Sequence, residues 1–240
     1  MEKKSNLETV VREGVSSNFE LGSELFEVAI DSFLEGIIKD IPIVKILIGF
    51  YKGVLGIREA NQIKKIMLFF SQLHSGILNQ SEKLNFIKKF DEDSDFRQKV
   101  TNHIMILNDR FIEDEKSIYF ANLLAAHLKG LITYNEYFEI SLILETCQMK
   151  VFNMLEEFAS ITPPFIGSNI GEGYVIEQSP FGSLLISSGL IISNNGKFGT
   201  ATVNFYGVCF YYYAMKAKFD ITRTEIKSLT PPYYTLYESS

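Results

Sequence analysis

Apolar residues recur at three- and four-residue spacing through the first two thirds of this chain, the period of helices that bury one face. Phe26, Ile30, Phe33 and Ile37 place the first such stripe on a helix over Ser23–Lys39. Pro42, with Asp40 near the cap, opens a second helix that runs toward Leu73 with a break expected near Gly53–Gly56. A third follows Ser81, which is expected to cap it while Glu82 faces the positive end of the helix dipole. The acidic run Asp91–Asp95 breaks the pattern, and Ser94 or Asp93 caps the next helix, which carries Val100, Ile104 and Leu107. A helix over Asp114–Lys129 ends at Gly130, as a helix closed by a left-handed glycine does. Thr133 followed by Glu136 is a capping box that opens a helix through Phe138, Leu142 and Glu145. A last helix covers about Met149–Ala159, before Pro163-Pro164.

The pattern then changes. Aromatic residues number 18 in the first 160 positions and 14 in the last 80, and glycines cluster at 167, 171, 173 and 182. Ser179-Pro180-Phe181 starts a short helix, an apolar run passes through Leu190-Ile191-Ile192, and Ser193-Asn194-Asn195-Gly196-Lys197 forms a polar tip. Thr200–Phe205 returns as a strand, and Phe210–Tyr213 begins another helix. A hairpin with an Asn-Gly turn between two helices has the order of a winged-helix unit. The expected fold is therefore mainly α: a multi-helix domain over 1–160, then a small α+β winged-helix-like unit over 161–240 with an extended Pro/Tyr tail.

Composition limits the functions available. The 240 residues carry 23 basic and 29 acidic side chains, a net charge of −6. Residues 1–160 hold 18 basic and 24 acidic groups and residues 161–240 hold five of each, so neither part has the basic excess of a polyanion binder. Cys147 and Cys209 belong to no CxxC or Cys/His cluster, which fits a reducing cytosol. Met1-Glu2-Lys3-Lys4 is charged and followed by polar residues rather than the apolar run of a signal peptide. A cytoplasmic location is expected.

Candidate chemistry is sparse. His74, His103 and His127 have no second His or Cys at three or four residues, and no HExxH pattern occurs. The acidic run from Asp91 resembles a calcium loop only until its sixth and twelfth places, which hold Phe96 and Asn102. Gly167, Gly171 and Gly173 lack the preceding strand and following lysine of a phosphate cradle. Cys147 reads as a packed thiol in mid-helix. No catalytic residue, metal or cofactor is expected.

Interaction surfaces are better marked. Ile41–Ile57 is apolar apart from Lys45 and Lys52, with Gly49 and Gly53 in a GxxxG. It reads as a core helix whose glycines allow close backbone approach, with an oligomer interface or a conditionally membrane-inserting element as alternatives. Tyr211, Tyr212 and Tyr213 span about 200° on one helix and cannot all face one core, so at least one is expected at the surface or against another element; with Tyr233 and Tyr234 they mark either a contact site or rings that the Pro/Tyr tail of the same chain covers. The presumed recognition segment Pro180–Gly189 has no Arg, Lys, Asn or Gln to read bases.

Asp114–Leu144 resembles the helical middle of the abortive-infection alpha-type proteins of bacteria, through Phe120-Ala121-Asn122-Leu123-Leu124-Ala125 and Phe138-Glu139-Ile140. Leu185–Ile191 and Tyr206-Gly207 are similar to the winged-helix-like end of such proteins. The resemblance transfers no catalytic residue. It implies a non-enzymatic interaction protein that serves as a sensor or accessory in antiphage defence. The partners expected are a protein or a second copy, without specific nucleic acid. The alternatives are a membrane-acting effector using 41–57 and a transcriptional regulator using the winged-helix-like unit.

Overall fold

A computed structural model describes residues 57–161, 174–175, 180–193 and 200–229. The expected helix over Ser23–Lys39, nearly all of the 41–57 segment with Gly49 and Gly53, the 194–199 tip, and the tail with Tyr233 and Tyr234 lie outside the described residues. The fold is mainly helical. The chain divides into two compact units, Met1–Ser117 and Ile118–Ser240.

In the first unit, α1 (Ile57–Gln72) runs into a π-helical turn over Leu73–Ile77, then come α2 (Gln80–Glu92) and α3 (Ser94–Arg110). Gly76 sits in the turn at φ +107°, a backbone that side chains rarely tolerate. The cap of α2 is Asn79, not Ser81: Asn79 Oδ1 accepts from Glu82 N at 2.9 Å, and Glu82 Oε2 accepts from Asn79 N at 2.8 Å. Ser81 instead donates its hydroxyl to Asn79 Oδ1 at 2.6 Å. Of the two candidates for α3 it is Asp93 that caps, accepting from Phe96 N at 2.9 Å. Each cap is worth about 1 kcal/mol. Phe69, Phe70, Phe90, Val100, Ile104 and Phe111 fill the core of this unit. Lys65 donates to the Phe111 carbonyl, and Lys64 pairs with Asp114 at 2.5 Å, so the turn after α3 is pinned to α1. His103 on α3 is buried, and desolvation pulls its pKa down to about 4.

The division between the units falls inside α4 (Glu115–Leu128). Residues 120–126 of α4 are at most 2% exposed, so the helix is buried around its whole circumference. It ends in a Schellman motif: Leu131 N donates to Ala126 O, Gly130 N to His127 O, both at 2.9 Å, with Gly130 at φ +74°. Next come α5 (Tyr134–Thr146), opened by the Thr133–Glu136 capping box, and α6 (Met149–Ile161). Cys147 is not in mid-helix: it caps the end of α5 and is buried at the break before α6.

The remaining elements are β1 (Tyr174–Val175), α7 (Pro180–Ser187), β2 (Ile191–Ser193), β3 (Thr200–Val203), α8 (Phe205–Cys209), a π-helical turn over Phe210–Met215 and α9 (Arg223–Leu229). The sheet order is β1-β3-β2, antiparallel throughout, with Ile191 opposite Val203 and Tyr174 opposite Ala201. These elements do not form a core separate from the helices. Phe152 of α6 stacks on Phe210 at 4.5 Å, and Asn122 of α4 donates to Ala214 O at 2.7 Å. The division into compact units falls at 117/118, whereas the sequence pattern changes near 160/161, across which Phe152 and Phe210 stack.

Asn204 fastens the hairpin to the helices. Its Oδ1 caps α8 by accepting from Gly207 N at 2.9 Å, and its Nδ2 donates to Gly189 O at 2.7 Å. Here the backbones run so close that a Cβ on Gly207 would stand 2.1 Å from Leu190 O and 2.6 Å from Val203 Cγ1. Gly207→Ala must push one of those groups aside, at about 1–3 kcal/mol or more. Thermal unfolding should show a clear drop in Tm for that variant, and an unchanged Tm would contradict the close approach.

Candidate functional site

The second unit has two features from which a site can be built: a polar seam behind α9, and the outer face of α5 and α7. The seam begins at the α5 capping box. Glu136 Oε2 accepts from Thr133 N at 2.7 Å, and the same carboxylate takes Arg223 in a two-toothed pair, NH2 to Oε1 at 2.6 Å and Nε to Oε2 at 3.3 Å. Arg223 is the first residue of α9, which Thr222 and Glu225 open with a capping box of their own. Seven residues are too few to hold a helix alone. Buried Ile226, the Glu136–Arg223 pair, and the bond from the Tyr213 hydroxyl to Ile221 O at 2.7 Å hold it in place.

Burial pushes the Glu136 carboxyl up, but the hydrogen bonds from Arg223 and Thr133 and the guanidinium charge outweigh it, and its pKa lies below the ordinary 4.5. Desolvation, with Glu136 adding to it, drives the Cys209 thiol well above its ordinary value. The Tyr213 phenol is also raised, chiefly by burial. The seam thus holds a charged pair beside a thiol and a phenol that stay protonated at neutral pH. That is the electrostatics of a fastening, not of an activated nucleophile.

The outer face is apolar. On α5, Tyr137, Ile140, Ser141 and Leu144 turn inward and are buried. Phe138 and Leu142, one turn apart on the other side, are 41% and 39% exposed. On α7, Leu185 is buried while Leu184 and Ile186 are 44% and 38% exposed. Ile143 stands against Gly189, two residues past the end of α7, where a side-chain carbon would lie 3.9 Å from Ile143 Cδ1, and α7 itself packs on α6. Glu139, on the outer side of α5, accepts a hydrogen bond from the Tyr206 hydroxyl.

The structure places the sequence candidates as follows. Tyr212 and Tyr213 are buried and belong to the core. Tyr211 is half-buried, with Lys216 over its ring at 5.5 Å. Lys216 N bonds Tyr211 O five residues back at 3.1 Å, closing the π-helical turn that carries these rings. His127 stacks on Tyr137 at 5.8 Å with its Nδ1 at 3.2 Å from Ile132 O, and His74 Nδ1 lies 3.2 Å from Phe70 O. Among the described residues no group of three His, Cys, Asp or Glu side chains is placed to hold a metal, and no helix is long and apolar enough to cross a membrane. The exposed face on α5 and α7 was not singled out from the sequence. Its signal is there: α5 carries apolar residues on both of its faces, more than one core can use.

No family model, curated protein or solved structure matches this chain.

Glu136 is the residue whose loss should be felt in two places. Because its folded pKa is lowered, its contribution is complete above pH 4.5 and is lost as pH falls through the lowered value. Glu136→Gln should cost about 1–3 kcal/mol near neutral pH, since it strips the charge that pairs Arg223. Urea unfolding of both proteins across pH should show this gap closing below 4.5. A gap of constant size down to acid pH would rule out the ionised pair as its source.

Proposed function

We propose that this protein is a non-enzymatic, cytoplasmic interaction component that serves as a sensor or accessory in bacterial antiphage defence of the abortive-infection type. The observation that supports the interaction reading is the exposure of Phe138 and Leu142 on α5 and of Leu184 and Ile186 on α7. Scattered apolar side chains are normal on a surface, and partner proteins use large ones on a well-fastened scaffold as anchors. The non-enzymatic reading rests on the seam, whose thiol and phenol are held protonated. The defence reading rests on the resemblance of Asp114–Leu144.

The winged-helix-like reading of the C-terminal part rests on the succession β1, α7, β2, β3 and on the sheet order β1-β3-β2. It keeps transcriptional regulation as the second reading. In that arrangement α7 takes the place of a recognition helix. Its sequence, PFGSLLIS, has no charged or amide side chain for bases or phosphates, and this favours a protein over DNA as its partner.

Two assays separate these readings. In a bacterial host that expresses the chain, phage should plate with lower efficiency, and Leu142→Asp together with Leu184→Asp should restore plating while the protein remains folded. Equal plating with and without the wild-type chain contradicts the defence role. Mixed duplex DNA at near-physiological salt should give no shifted band at micromolar protein. A sequence-selective complex that weakens steeply with salt would replace this reading with the regulator.

A further inference from the structure

Among the described side chains of α9, Ile226 is fully buried, and the others from Arg223 to Ser228 are half-buried or exposed. The helix reaches its place through residues 216–222, an irregular stretch in which Ala217 takes a left-handed backbone at φ +48°. Thr222 and Glu225 cap it from within, so its N-terminal cap takes nothing from the rest of the unit. The Arg223–Glu136 pair and the bond from the Tyr213 hydroxyl to Ile221 O tie it down. Beneath it lies α8, on which α9 packs. The Arg223 guanidinium stands over the Phe205 ring at 5.9 Å, and Phe205 and Cys209 lie one turn apart on the same side of α8. The charges of Glu136 and Arg223 both act on the Cys209 thiol, which places that thiol near the same pair. Phe205 and Cys209 are buried.

We infer that α9 is a strap: it opens by itself while the rest of the second unit stays folded, and its opening bares the Phe205–Cys209 side of α8. A segment with few buried apolar side chains opens at a lower free energy than the core beside it. The Glu136–Arg223 pair is the catch. Its arginine side chain is 34% exposed, so water reaches the pair at the edge of the strap. Breaking it leaves Glu136 in place, because Thr133 N still holds the carboxylate at the start of α5. On its own side α8 stays fixed, through the Asn204 cap and the close approach of Gly207 to Leu190 O. The strap gives the unit two states, one of which shows an aromatic ring and a thiol that the other hides.

Differential thiol labelling of the full chain tests this. Cys147, buried at the end of α5 and outside the strap, is the internal reference. Arg223→Met keeps the length of the side chain and removes its charge. A maleimide added to this variant in native buffer, read by mass spectrometry of the peptides, should modify Cys209 about tenfold faster than in the wild type, with the rate at Cys147 changed by less than about twofold. Tyr213→Phe, which deletes the bond to Ile221 O, should accelerate the same thiol. It serves alone should Arg223→Met fail to fold, which circular dichroism reports. Acceleration of both thiols by the same factor means that α9 comes away only when the whole unit unfolds, and overturns the strap. An unchanged rate at Cys209 in the folded variant overturns it as well.

Discussion

The burial of α4 is the constraint on which the second unit depends. A helix with Phe120 through Ala126 shielded around its circumference cannot lie at a surface, so other elements must give up one face to it. Phe120 stacks on Tyr137 of α5 at 5.7 Å, and Tyr119 meets Phe152 of α6 and Phe210 of the π-helical turn edge-on. Asn122, the polar residue within that stretch, satisfies its amide by donating to Ala214 O, a carbonyl of the same π-helical turn. A buried amide without that partner would cost several times what the bond contributes, which ties the turn to α4.

On α5 the Tyr137–Leu144 side belongs to this core, and Phe138 and Leu142 on the other side are partly exposed. The same holds for α7, where Leu185 is used and its two neighbours are not. The helices that present these side chains are held in place. Asn204 and Gly207 lock the hairpin against the α7 turn, and the Glu136–Arg223 pair locks α9 against the start of α5. A rigid apolar surface loses little entropy on binding, which is what an anchor site needs.

Local chemistry was legible in the sequence and long-range packing was not. The α5 capping box, the Gly130 stop and the Asp93 cap each depend on a few adjacent residues, and they stand as read. Asn79 was missed in favour of Ser81 because both are cap formers two residues apart, and geometry decides between them. The Glu136–Arg223 pair joins positions 87 residues apart, and nothing local marks it. The tyrosine run lies on a π-helical turn, which no local signal in the sequence marks, and Tyr212 and Tyr213 are buried there while Tyr211 is half-buried. A change of composition near 160 marked a real change of structure, from helices to a hairpin, without marking the edge of a core.

Thiol accessibility tests the central claim, that α5 and α7 each show apolar side chains to solvent over a closed interior. The native thiols Cys147 and Cys209 are both buried and serve as internal references. With Leu142→Cys and Leu184→Cys in the otherwise unaltered chain, a maleimide added to the native protein should label the introduced thiol quickly and leave Cys147 and Cys209 unmodified until denaturant is present. Labelling of the introduced thiols as slow as that of Cys209 would mean that these positions are covered, and the account of them as free to make contacts would fail.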